Sequence, residues 1–194
     1  EKELNTIEIE GTDDQKTLFY TSMYHTMINP SVYMDVDGSY RGNDMEIHKA
    51  ENFTNYTVFS LWDTYRAEHP LLNLLKPQQG KDMAKSMIEI QKQSALDILP
   101  IWYLMGNEGW CMSGYHAVPV LADVATKIGM DNMNEVLEAM DATATSPWME
   151  GLADYIKYEY VPFDRCGTSA SNTLEYAYDD WTIYNTALKA GNKE

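Results

Sequence analysis

Apolar and aromatic side chains recur at three- and four-residue intervals along most of the chain, the spacing of helices that bury one face. Over residues 13–28 the pattern runs through Leu18, Phe19, Met23 and Met27, and Thr12-Asp13-Asp14 offers side-chain oxygens to the first free amides as a cap. A second helical pattern covers residues 56–75 with an interruption at Pro70, and a third covers 79–98 through Met83, Met87, Ile90 and Leu96. Further helices are predicted over 115–128, 133–142, 147–158 and 169–190, each bounded by Gly, Pro or Asn. Residues 4–10 alternate like a strand with no evident partner. Residues 31–55, rich in Asp, Gly and Asn, lack the periodicity of a long element and predict a long loop. Loops of that length in compact domains are usually functional or disordered, and a functional role is expected here. Helices joined by alternately long and short loops predict an all-α toroid of helical hairpins with short strands in the loops. No internal repeat is visible, which argues against a consensus solenoid.

Composition narrows the function classes. The 194 residues are a one-domain length, and the net charge of -16 disfavours a phosphate backbone or anionic membrane as partner while suiting a neutral ligand. No apolar run is long enough to span a bilayer, and the polar start Glu1-Lys2-Glu3 has no signal-peptide pattern. Two cysteines, Cys111 and Cys166, do not make a disulfide framework, and the scattered His25, His48, His69 and His116 leave no zinc-type spacing. The Asp35-Val36-Asp37-Gly38-Ser39 stretch superficially matches a calcium loop, but Tyr40 stands where that loop needs glycine, so a turn is expected.

Three stretches carry candidate chemistry. In residues 99–119, Glu108 stands among Trp102, Trp110, Tyr115 and the flexible Gly106, Gly109 and Gly114. A carboxyl in such partly apolar surroundings suits a general acid, and the rings offer flat faces to a sugar. In Ser60-Leu61-Trp62-Asp63-Thr64-Tyr65-Arg66 the spacing puts Trp62 and Arg66 on one helix face and lets Asp63 pair with Arg66. In Leu174-Glu175-Tyr176-Ala177-Tyr178-Asp179-Asp180-Trp181, Glu175 and Asp179 share a face. Like charges four apart destabilise a helix, so a polyol-binding cavity, a cation or a basic partner is expected to compensate, unless the face is simply solvated.

Several stretches in order resemble one family: Lys16-Thr17-Leu18-Phe19-Tyr20-Thr21-Ser22-Met23-Tyr24-His25-Thr26, Asp35-Val36-Asp37-Gly38 with Tyr40-Arg41-Gly42, and Tyr56-Thr57-Val58-Phe59 leading into the Trp62 turn. Ile98-Leu99-Pro100, Gly106-Asn107-Glu108, Gly114-Tyr115-His116-Ala117-Val118-Pro119 and residues 173–181 continue it. The chain thus resembles the glycoside hydrolase family 92 exo-α-mannosidases over nearly its whole length. The resemblance implies inverting, calcium-dependent hydrolysis of terminal α-linked mannose from N-glycans or mannans, within an (α/α)6 barrel preceded by a β-sandwich. It also implies Glu108 as general acid, sugar contacts from Trp62, Asp63, Arg66 and His116, and a leaving-sugar contact from Glu159, where α-1,2-specific members usually carry His-Glu in place of Tyr158-Glu159. The metal ligands stay unassigned. Residues 1–194 are expected to be part of the barrel, inactive alone, with the β-sandwich, the remaining helices, the general base and the calcium-binding stretch elsewhere in a bacterial periplasmic or cell-surface protein. A non-catalytic carbohydrate-binding helical module and another (α/α)6-barrel glycosidase or lyase are the alternatives.

Overall fold

Helix α1 (Asp13–His25) starts where the sequence supplies its cap: the Thr12 hydroxyl accepts from the Gln15 amide at 3.3 Å and the Gln15 side chain accepts from the Thr12 amide at 2.9 Å. The computed structural model describes residues 3–192. It is predominantly helical, with α2 (Leu61–Thr64), α3 (Glu68–Leu75), α4 (Pro77–Lys92), α5 (Ala117–Lys127), α6 (Met133–Ala144), α7 (Leu152–Tyr158) and α8 (Ser169–Ala190) following α1. Helix α5 packs on α8, α4, α3 and α6, and α8 also packs on α6. Their buried faces share one core that includes Leu72, Met83, Met87, Leu121, Val124, Met140 and Tyr176. The expectation of side-by-side helical hairpins holds. Among the described residues no helix is long and apolar enough to cross a membrane.

Three local expectations need correction. Residues 4–10 are not a strand: Leu4–Thr6 form a single 3-10 turn, since among the described residues no second strand pairs with them to take up ladder hydrogen bonds. Residues 56–75 are not one helix. Strands β4 (Tyr56–Thr57) and β5 (Phe59–Ser60) precede α2, and Val58 between them adopts a φ of 66°. Their partners are remote in sequence: β4 pairs with β1 (Ser31–Val32), and β5 with β6 (Trp102–Leu104). Local periodicity carries no information about such partners. Pro70 does not interrupt a helix either. It is the third residue of α3, where amides have no partner one turn back and a missing N–H removes nothing.

The long loop over 31–55 is tied down rather than loose. Strands β2 (Ser39–Arg41) and β3 (Ile47–Lys49) form an antiparallel hairpin with Arg41 opposite Ile47. The Asp35-Val36-Asp37-Gly38 stretch is the expected turn, with Gly38 at φ 86° and its amide donating to the Asp35 carbonyl at 2.9 Å. A three-stranded sheet in the order β5-β6-β7, with β7 at Asn107–Glu108, closes the region that matters for chemistry.

Candidate active site

Glu108 lies on a strand and not in a helix-to-helix loop. It stands opposite Tyr103 on β6, and Trp102 in turn stands opposite Ser60 on β5, two residues before Trp62. One small sheet therefore carries Glu108 on an edge strand and leads into the Trp62 turn from its other edge. The Glu108 side chain is half-buried and folds back on the main chain. Its Oε2 accepts from the Ile101 amide at 2.9 Å, and its Oε1 accepts from the amides of Trp102 and Trp110, each at 2.9 Å. Three main-chain donors fix the carboxyl group in direction as well as place, a preorganised arrangement that side-chain partners alone rarely achieve. The Trp110 donor is available because Trp110 takes a left-handed backbone, φ 51°. Glu108 and Trp110 also line a cavity of about 280 Å³ whose other walls include Asn43, Ser94, Leu99 and Pro100.

The Trp62 turn differs from the sequence expectation in one respect. Asp63 and Arg66 form no ion pair. Both are exposed, and the Arg66 guanidinium lies over the Tyr65 ring at 4.8 Å and the Trp62 ring at 5.8 Å. Stacking on two rings offers the cation more than a solvated carboxylate would, since surface ion pairs contribute little.

Behind this turn the paired acids of α8 meet their compensating partner. His116, only 1 % exposed, donates or accepts through Nδ1 to Asp179 Oδ1 at 2.8 Å, and its Nε2 lies 3.1 Å from Glu175 Oε2 without the alignment of a hydrogen bond. Glu175 Oε1 accepts from the Trp62 indole N–H at 3.1 Å, and Asp179 Oδ2 accepts from the Tyr115 amide at 2.8 Å. The imidazole also stacks on Tyr65, with centroids 4.1 Å apart and planes within 10°. A chain of contacts thus runs from Asp179 through His116 and Glu175 to the Trp62 ring. Burial pushes the Asp179 carboxyl up to about 6, against the lowering effect of its bond to His116. Gly114 makes the close approach feasible, because a Cβ there would stand 2.6 Å from His116 Nε2.

The candidate residues do not all converge. Trp62, Asp63, Arg66 and His116 form one group around α2 and the start of α5. Glu108 lies on the same sheet, on the strand that does not pair with β5, and lines a cavity whose walls include none of those four side chains, whereas Glu159 stands apart, exposed at the end of α7 with φ 64°. The sequence assigns Tyr65 no role, and for Glu175 and Asp179 it leaves open a polyol cavity, a cation, a basic partner or a solvated face, of which the structure supplies a partner in His116. Cys111 and Cys166 are free thiols. Among the described residues no three His, Cys, Asp or Glu side chains are grouped to hold a metal ion.

A family model described as the glycosyl hydrolase family 92 catalytic domain matches residues 1–194. The chain is similar to the family GH92 α-mannosidase BT3965 from Bacteroides thetaiotaomicron, at 47 % identity and a TM-score of 0.97, covering 99 % of this chain and 26 % of that one. The same enzyme in complex with mannoimidazole matches at 47 % identity and a TM-score of 0.97, covering 99 % of this chain and 25 % of that one. The family GH92 inverting mannosidase BT2199 from the same organism is 30 % identical, with a TM-score of 0.88, and is matched over 99 % of this chain and 27 % of its own length. No match was found among curated proteins. The chain therefore spans about a quarter of the length of the solved structures it resembles.

Proposed function

The chain belongs to glycosyl hydrolase family 92, and from that premise we propose that it is the part of an exo-α-mannosidase catalytic domain that carries the general acid, Glu108. The observation that carries this reading is the Glu108 carboxyl held by three amides at the edge of a cavity, on a sheet continuous with the Trp62 turn. Oε2 accepts one of those bonds and Oε1 two, so Oε2 has the free lone pair on which a proton can ride to the departing glycosidic oxygen. Trp62 offers a face to the sugar ring, Asp63 and Arg66 stand exposed beside it for hydroxyl contacts, and His116 supports the group from behind through Glu175.

Inversion requires a second carboxylate about 6.5–9.5 Å from the acid to activate water on the opposite face of the sugar. We assign that base, together with the upstream β-sandwich and the remaining barrel helices, to the portion of the protein that the longer relatives also possess. Calcium, when bound, would hold sugar hydroxyls and favour a flattened ring. The described residues present no group of three His, Cys, Asp or Glu side chains that could hold it, so no ligand is assigned in this chain and no step is derived through the ion. The proposed substrates are terminal α-linked mannosides of N-glycans or mannans. α-1,2 linkages are the first to test: Glu159 matches in sequence the family residue that contacts the leaving sugar, although it stands apart from the Trp62 group, and Tyr158 departs from the His of α-1,2-specific members. A periplasmic or cell-surface setting fits the Bacteroides source of the relatives.

The test is Glu108→Gln in the complete enzyme. Turnover of an α-mannobiose should fall by about 10²–10⁴ while 2,4-dinitrophenyl α-mannoside, whose leaving group needs no proton, is still hydrolysed. Unchanged turnover of the disaccharide would remove Glu108 as the acid. Binding of mannose without any hydrolysis by the wild-type enzyme would favour a carbohydrate-binding module instead.

A further inference from the structure

The hairpin that carries Glu108 turns on a residue that its own backbone disfavours. Strands β6 and β7 are joined by Met105 and Gly106, with φ 50° and 87°. Two left-handed residues in succession suit the right-handed twist of a tight hairpin, and glycine takes that conformation freely. Methionine does not, because its Cβ crowds the following carbonyl, and Met105 is 61 % exposed, so core packing does not hold it in place. Such a conformation persists where the surroundings over-determine it.

Three groups from the far side of the sequence do so. The Arg41 Nη2 donates to the Met105 carbonyl at 2.9 Å, the Tyr33 hydroxyl donates to the same oxygen at 3.3 Å, and the Met105 amide donates to the Thr57 hydroxyl at 2.7 Å. The Asn107 side-chain amide donates to the same carbonyl at 3.5 Å, and the Arg41 bond, with the charged donor, is the strongest of the three. Gly106 is also matched to it: a Cβ there would stand 2.9 Å from Arg41 Nη2, so glycine is what lets the guanidinium approach. Arg41 reaches this point from the end of β2, held opposite Ile47 in the hairpin of the long loop.

The turn decides the register of β6 against β7, in which Leu104 faces Asn107 and Tyr103 faces Glu108. That register sets where the Glu108 carboxyl lies relative to the amides of Ile101, Trp102 and Trp110. We propose that Arg41 is a positioning residue for the general acid, acting through the Met105 carbonyl to hold the Glu108 hairpin in register. The proposal rests on the reading of Glu108 as the acid. It gives the loop over 31–55 a defined task at the active site without contact to substrate.

The experiment compares Arg41→Ala, Arg41→Lys and Tyr33→Phe in the complete enzyme on an α-mannobiose and on 2,4-dinitrophenyl α-mannoside. With Arg41→Ala, kcat on the disaccharide should fall by about 10–100-fold, with KM within about twofold and the activated substrate losing less than about threefold, because only the disaccharide needs a well-placed proton. Arg41→Lys, which keeps a donor of the same charge, should recover part of the loss, and Tyr33→Phe should show a smaller loss of the same kind. Equal losses on both substrates, or none on the disaccharide, would overturn the proposal, and Tyr33→Phe together with Arg41→Lys decides the matter should Arg41→Ala fail to fold. Glu108→Gln run alongside separates the two readings: if it lacks the same leaving-group dependence, the assignment of the acid is what fails.

Discussion

The Asp179 carboxyl, entirely removed from solvent between Tyr115 and His116, makes the clearest case for a single side chain whose environment sets its behaviour. Its proton affinity is raised from 3.8 to about 6, so the folded protein holds that proton more tightly than the unfolded chain does. The sign follows: this group's contribution favours the fold below about pH 4 and is lost as pH rises through about 6. In the complete enzyme, Asp179→Asn should therefore flatten the pH dependence of the melting temperature across that window, as a difference from wild type measured at matched salt. The variant should also lower the melting temperature overall, since an amide cannot accept from both Tyr115 and His116 as the carboxylate does, a loss of about 1–3 kcal/mol. Glu108 stands out in the sequence as a carboxyl among aromatic and glycine neighbours, and its proposed role comes from the family resemblance. Asp179 does not stand out in this way, because its meaning depends on α5 and α8 meeting, and nothing within 60 residues of it in the chain announces His116.

Helices and strands test how far local rules reach. The cap of α1 was legible in Thr12, and since α1 buries only Met23, its loss should stay local. Thr12→Ala should weaken the first turn by about 1 kcal/mol, visible as faster amide exchange at residues 14–16 with little change in the melting temperature of the whole. Gly80 on α4 reverses the usual rule. Alanine in a helix interior normally gains about 1 kcal/mol over glycine, but here a Cβ would stand 2.0 Å from the buried Asn73 Oδ1 on α3, and Asn73 is held by its bond to Asp123 at 2.8 Å. Gly80→Ala should destabilise by about 1–3 kcal/mol, measured by denaturant unfolding, because accommodating the methyl disrupts that bond. The α8 bounds, Ser169–Ala190, agree with the spacing of its apolar residues, and Gly191 ends it at φ 85°. The strands β4 and β5 are not legible, because two-residue strands have too few positions to show a period and take their identity from partners 24 to 44 residues away.

For the molecule as a whole, the proposed division of labour between this chain and the rest of its protein has measurable consequences. Purified residues 1–194 should release no mannose from any mannoside, since the proposed base lies elsewhere. Their melting temperature should be the same in millimolar calcium and in EDTA, given that the described residues present no grouped metal ligands, while hydrolysis by the complete enzyme should be lost in EDTA. A shift in the melting temperature of the segment with calcium would show that ligands do lie within it. Helices α1 and α4 to α8 in order, the α1 cap, the place of Glu108 near Trp102 and Trp110 in the chain and the like-charge spacing of Glu175 and Asp179 were determined by the sequence itself, since each rests on spacing, propensity or charge within a few residues. Only the tertiary structure decided that Glu108 sits on a strand under three amides, that His116 answers the two acids, and that Arg41 reaches the turn at Met105. The His116 and Arg41 contacts join residues 63 and 64 apart, and the amides that hold Glu108 stand only two to seven residues from it but are aimed by a hairpin whose turn is tied to remote residues; local pattern encodes neither.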